Sequence, residues 1–202
     1  MRVYRFVPVP SWKQRLWERY FRRRLGACGE RVILSMSGSY TWPNISLGND
    51  VHVGTRSILW ATKSRIVIGD KVVMGPEVMM FGGDHHTGLK ARFIYDIGEH
   101  EVFPGDDQDI VLDGDNWVGA RAILLKGVRV GRGTVIAAAA VVTKSLPPYC
   151  IAGGNPARAL RLRGSVDEIL AHERELYPLS SRLTRETIEA AEQAIARPRR
   201  ST

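Results

Sequence analysis

The chain has 202 residues, 44% hydrophobic and 25% charged, the balance of a globular protein and not of a disordered or fibrous one. Lysine and arginine outnumber aspartate and glutamate 29 to 21, and the surplus of +8 suits an anionic partner without choosing among nucleic acid, a phosphorylated cofactor, an anionic sugar and a membrane surface. No run approaches the ~18 apolar residues of a membrane span, the N-terminus lacks the apolar core of a signal peptide, and Cys28 and Cys150 form neither a CxxC nor a zinc-type spacing, so a cytoplasmic location is expected.

In chain order, Ser11-Trp12-Lys13-Gln14 follows Pro10 and has the form of a capping box, opening a helix that Gly26 can end. Trp12, Leu16, Trp17, Tyr20, Phe21 and Leu25 form its apolar face, and Lys13, Arg15, Arg19 and Arg22 its polar one. Such a helix fits a cap or subunit contact, and it also fits a peripheral contact with the inner face of a membrane. A repeat then begins. Leu47, Val53 and Leu59 step by six, Ile68, Met74 and Met80 step by six again, and nine residues separate Leu59 from Ile68. Leu112, Val118, Leu124, Val130, Ile136 and Val142 continue the step without a break.

A period of six fits neither the 3.6 of a helix nor the 2 of a half-buried strand. It fits short strands joined at tight corners, with one large side chain turned inward on each side of a triangular coil of about eighteen residues. Stacked coils satisfy one another's backbone groups at the ~4.8 Å strand spacing. Mainly β structure is therefore expected, a parallel β-helix over residues 45–163 with helical caps: a helix and lead-in over 1–44 and an extension over 164–202. In the extension, Ser165-Val166-Asp167-Glu168 is a second capping box opening a helix to about Leu176, and Thr184 starts a last helix to about Ala196, stopped by Pro198, with a disordered tail beyond.

The repeat fails over 82–109, a loop long enough to have a function of its own. It opens with Gly82-Gly83-Asp84-His85-His86-Thr87-Gly88. Histidine is the side chain best suited to move a proton near neutral pH, so this pair supplies a candidate general base. In isolation a histidine pair in a glycine-rich loop is more often structural, and the surrounding repeat is what favours chemistry. Asp84 precedes the pair and is a candidate to orient His85, or simply to bond its own turn.

The segment 114–163 contains Asn116-Trp117-Val118-Gly119, the unbroken hexads, Val141-Val142-Thr143-Lys144, Pro147-Pro148 and Gly154-Asn155-Pro156-Ala157-Arg158. With the GGDHH upstream, this set resembles the hexapeptide-repeat acyltransferases, in particular the branch that acetylates sugars and some antibiotics. The resemblance covers about residues 45–163. It implies a left-handed coil, a homotrimer with sites between subunits, acetyl-CoA as acyl donor with no metal required, and no nucleic-acid partner. It also implies His85 as the base that deprotonates an acceptor hydroxyl, with His86 the adjacent alternative; Asp84 and His86 are candidates to contact the acceptor. Ala120 and Ala138 correspond to positions whose backbone lines the pantetheine channel, and Trp117 to a tryptophan beside the cofactor. Thr143 and Lys144 match a cofactor-contacting pair, and Arg158 and Arg161 match basic residues near the CoA phosphates. Thr55-Arg56-Ser57 stands where sugar acetyltransferases carry a side-chain amide, which leaves oxyanion stabilisation unassigned. The C-terminal extension resembles that of the surface-polysaccharide branch, which implies a glycan or sugar-precursor acceptor.

Three rivals remain. N-acetylation of a nucleotide-linked amino sugar needs the same base and donor. A zinc enzyme of carbonic-anhydrase type needs three histidines, and only His52 and His85 are suitably spaced, with His100 in mid-loop. A non-enzymatic scaffold would use only the solenoid surface.

Overall fold

The computed structural model describes residues 11–98, 101 and 103–196. The expectations for Pro10, His100, Pro198 and the residues after 196 lie outside that range, as does the capping role of the Ser11 side chain.

Helix α1 spans Ser11–Arg22 and is followed by five triangular coils. Coil one is β1 (Ala27–Cys28), β2 (Ile33–Leu34) and β3 (Ser39–Tyr40). Coil two is β4 (Ile45–Leu47), β5 (His52–Val53) and β6 (Ile58–Trp60), and coil three is β7 (Ile66–Ile68), β8 (Val73–Met74) and β9 (Met79–Phe81). Coil four, β10 (Ile110–Leu112), β11 (Trp117–Val118) and β12 (Ile123–Leu125), follows the long loop. Coil five is β13 (Arg129–Val130), β14 (Val135–Ile136) and β15 (Val141–Val142). The strands stack in parallel as three faces: β1-β4-β7-β10-β13, then β2-β5-β8-β11-β14, then β3-β6-β9-β12-β15. The second face is extended by β16 (Cys150–Gly154) and by the antiparallel β17 (Ala157–Leu162).

The six-residue step is the inward column of each face. Leu112, Val118, Leu124, Val130, Ile136 and Val142 are all at most 1% exposed, and Leu47, Val53, Leu59, Ile68, Met74 and Met80 are buried beneath them. The solenoid starts earlier than the aliphatic pattern indicates, because Cys28, Leu34 and Tyr40 keep the spacing and form coil one within the segment 1–44. Gly26 is not a helix cap but the first rung: its N–H donates to the Ile45 carbonyl at 2.9 Å, and a Cβ there would lie 2.5 Å from the Pro43 carbonyl oxygen. That helix therefore stops a turn sooner, at Arg22.

Two helices form in the extension. Ser165 caps α2 (Val166–Leu176) with both bonds of the box in place, and α3 spans Arg185–Ala196. The two helices pack over Tyr149 and Leu162. Glu173, 1% exposed, locks them to coil five by accepting from the Tyr149 hydroxyl (2.6 Å), Arg132 (3.0 Å) and the Leu183 N–H (3.0 Å). Burial and this carboxylate together raise the Tyr149 pKa.

Replacing an inward residue removes packing from three neighbouring coils at once. Leu124→Ala is expected to cost about 2–5 kcal/mol of stability, read from urea denaturation.

Candidate active site

Every irregular step of the repeat falls at one corner, between the third face and the first. Tyr40 to Leu47 is seven residues, Leu59 to Ile68 nine, and Met80 to Leu112 contains the whole loop. Side chains there replace missing ladder bonds. Asn44 Nδ2 donates to the Ala61 carbonyl (2.6 Å), Ser64 Oγ to the Gly82 carbonyl (2.8 Å), and Asp109 accepts from the Arg65 N–H (2.8 Å).

The loop leaves and returns as a short antiparallel stem. Gly83 bridges Asp107, and the Asp84 N–H donates to the Asp106 carbonyl at 2.9 Å. Lys126, just past β12 on the next coil, reaches the Asp84 carboxylate (2.9 Å) and the Asp106 carbonyl (3.1 Å). The histidines follow directly. His86 is held on both sides: its ring stacks on Phe103 at 3.8 Å, and its Nδ1 meets the Asp106 carboxylate at 3.1 and 3.2 Å. His85 is exposed and makes no hydrogen bond among the described residues. Asp84 is committed to Lys126 and not to His85, so the carboxylate that orients an imidazole here is Asp106, acting on His86. At the loop tip Phe93 and Tyr95 are 79% and 97% exposed.

The other sequence-derived residues fall into two groups. Ala120 and Ala138 stack at the opposite corner, between the second and third faces, where the Ala139 N–H donates to the Ala120 carbonyl at 2.9 Å. The approach is close enough that a Cβ on Gly119 would lie 2.4 Å from the Ala138 nitrogen. Arg158 pairs in register with Gly153 and Arg161 with Ile151, beside the same corner. Their guanidinium groups bond the carbonyls of Ala157 and Leu162 and meet no carboxylate among the described residues. Trp117 projects from the second face, 58% exposed. Thr143 and Lys144 instead follow β15 at the loop corner, one coil beyond Leu125 and Lys126. On a single chain, then, the imidazoles and the Ala138–Arg158 strip lie on opposite edges of the third face, separated by the roughly 10 Å of a three-residue strand. Thr55-Arg56-Ser57 also sits at the far corner, where Arg56 pairs with Glu77.

No protein-family model matches the chain. A putative acetyltransferase of Schizosaccharomyces pombe is 41% identical over 96 residues, 48% of this chain and 42% of that protein. The galactoside O-acetyltransferase of Escherichia coli K12 is 29% identical over 123 residues, 57% of this chain and 56% of that one. The chain thus spans about half the length of these relatives. The solved hexapeptide-repeat acetyltransferase of Vibrio cholerae, complexed with acetyl coenzyme A, superposes with a TM-score of 0.64 at 25% identity, over 74% of this chain and 79% of that one. By fold, the chain is similar to the hexapeptide-repeat acetyltransferases. Its coil is accordingly the left-handed β-helix of that group.

Within this hexapeptide-repeat fold the two cysteines lie apart from the histidines, Cys28 on the first face and Cys150 on the second. Burial raises both thiols, Cys150 to about 11, and neither stands at the loop corner. His52 lies on the second face, with its pKa lowered by burial, and His85 follows the third, so the two do not converge. Among the described residues no group of three or more His, Cys, Asp or Glu side chains could hold a metal. No helix among the described residues is long and apolar enough to cross a membrane.

Phe103, Asp106 and Lys126 escape a reading by sequence spacing. The available signal is Pro104-Gly105, a turn that brings Asp106 back beside Asp84. Removing a hydrogen bond to a charged group costs about 1.5–3 kcal/mol. Asp106→Ala should therefore speed amide exchange between residues 84 and 107 about 10- to 100-fold, with little change in the thermal midpoint of the coils.

Proposed function

We propose that the protein transfers the acetyl group of acetyl-CoA to a hydroxyl of a sugar or surface-polysaccharide precursor, with His85 as general base. The observation that carries this reading is an exposed imidazole, unpaired among the described residues, at the mouth of the long excursion from the hexapeptide coil, next to a second imidazole clamped by Asp106 and Phe103. The clamp fixes the loop root and leaves His85 free to accept a proton. The acceptor hydroxyl gives its proton to His85 as its oxygen attacks the thioester carbonyl. The carbon–sulfur bond then breaks, and the CoA thiolate leaves and is reprotonated. The raised thiols of Cys28 and Cys150 favour direct transfer in one ternary complex over a covalent relay. Exposed Phe93 and Tyr95 at the loop tip suit the apolar face of a sugar ring. N-acetylation of an amino sugar remains the second reading, since an amine needs the same base and donor.

The residues fit acetyl-CoA in character. The strip formed by Gly119, Ala120, Ala138 and Gly153 is narrow and carries no bulky side chain, which suits a pantetheine arm. Arg158 and Arg161, with no carboxylate to neutralise them among the described residues, suit its phosphates.

Because the strip and His85 occupy opposite edges of the third face, one active site takes its two halves from different subunits. The outward side of that face supports a homotrimer: Ile58, Met79, Ile123 and Val141 form one column, with Trp60, Phe81 and Leu125 beside it. The assembly works in the cytoplasm, where acetyl-CoA is made.

His85→Ala should lower kcat about 10²–10⁴-fold with acetyl-CoA affinity by calorimetry unchanged. Activity equal to the parent would refute the assignment. Arg158→Ala should raise the Km for acetyl-CoA about 10-fold with kcat nearly unchanged, as expected when one charge-assisted phosphate contact is lost. An acetyl-CoA consumption screen over free sugars, oligosaccharides and nucleotide-linked amino sugars separates the two acceptor classes.

A further inference from the structure

Helix α1 has three stripes. The inner one, Trp17 and Phe21, packs on the open end of coil one, and Trp17 Nε1 donates to the Leu34 carbonyl at 2.6 Å. The second is Trp12, Leu16 and Tyr20, spaced four apart on one helical edge and 59%, 59% and 43% exposed. The third is basic: Arg15 and Arg19 flank the exposed stripe, and Arg23 and Arg24 continue it past the helix end. Leu16, Arg19, Tyr20, Arg23 and Arg24 line one shallow hollow on this surface.

The charges here are uncompensated. Glu18 is the one acidic residue of the helix, and it is taken by Arg22 at 2.8 Å. Lys13, Arg15, Arg19, Arg23 and Arg24 have no carboxylate partner among the described residues. Lys13 and Arg24 lie over the rings of Trp12 and Tyr20, at 5.4 and 4.5 Å.

We infer that this face docks on an anionic phospholipid surface. Exposed tryptophan and tyrosine flanked by unpaired arginines match the two layers of such a surface, acyl-headgroup boundary and phosphate. A second copy docked patch to patch is a poorer occupant, because it would present the same cations. The helix is seated on the fold through its other side, so docking requires no unfolding.

Vesicle cosedimentation of the full chain tests this, using phosphatidylcholine vesicles with and without phosphatidylglycerol. Binding should require phosphatidylglycerol and weaken as salt rises. Arg15→Gln/Arg19→Gln/Arg23→Gln should lower affinity roughly 100-fold, at about fivefold per arginine. Trp12→Ser/Leu16→Ser/Tyr20→Ser should lower it at least about 10-fold. All six positions lie on the exposed side of the fold, and an unchanged thermal midpoint verifies that each variant is folded. Absence of binding by the parent chain, equal binding to both vesicle types, or equal binding by parent and variants would overturn the inference. A change of oligomeric state in the serine variant, without vesicle binding by the parent, would assign the face to a second copy instead.

Discussion

The structure depends on successive coils turning at the same places. The strands of a coil pair only with those of the neighbouring coils, so their ladder N–H groups meet the carbonyls of the coil above, as Gly48 meets Ile68, Gly69 meets Leu112 and Asp113 meets Val130. That requirement fixes the corners as well as the faces. One corner carries Asp50, Lys71 and Asp115 in the left-handed region, and the next carries Arg56, Glu77, Arg121 and Ala139. Left-handed backbone costs a residue with a side chain about 1–2 kcal/mol, and it recurs because any other conformation would break the ladder on both sides. The charged residues at these corners then pair up the stack. Asp50 sits between Arg31 and Lys71, which hold its carboxyl below the usual carboxylate range. Exposed pairs of this kind contribute little each. Stability resides in the inward columns, and the pairs settle which charges the ladder brings together.

Those columns were legible because burial repeats at a period no other regular structure shares. Leu112 to Val142 could be read directly, and so could the capping box at Ser165. Coil one was not legible, since its inward positions are Cys28, Leu34 and Tyr40, and a seven-residue step to Leu47 breaks the count. For α1 the residue types showed an apolar face without separating the inner part, Trp17 and Phe21, from the more exposed part, Trp12, Leu16 and Tyr20. That division depends on where the helix sits on coil one, which no pattern within the helix encodes.

The site was legible in part for a related reason. Histidine, glycine and basic residues stood out by type. Their partners did not, because the loop answers to no period: Asp106 reaches His86 from twenty residues away, and Lys126 joins them only because the coil returns it above the loop root. The stem also separates two adjacent, chemically identical rings. Stacking and a carboxylate hold His86, while His85 stands in solvent.

The concentration of every insertion at one corner has a wider consequence. Lengthening either of the other two corners would push all later coils out of register, and each inward residue would lose its place in the stack. At the third-to-first corner the chain rejoins the ladder through side chains such as Asn44, Ser64 and Asp109, so length there is decoupled from register. A segment between Gly82 and Asp109 could be exchanged for one of different length and chemistry while the scaffold beneath stayed the same, which makes this corner the natural place for such a solenoid to diversify what it recognises.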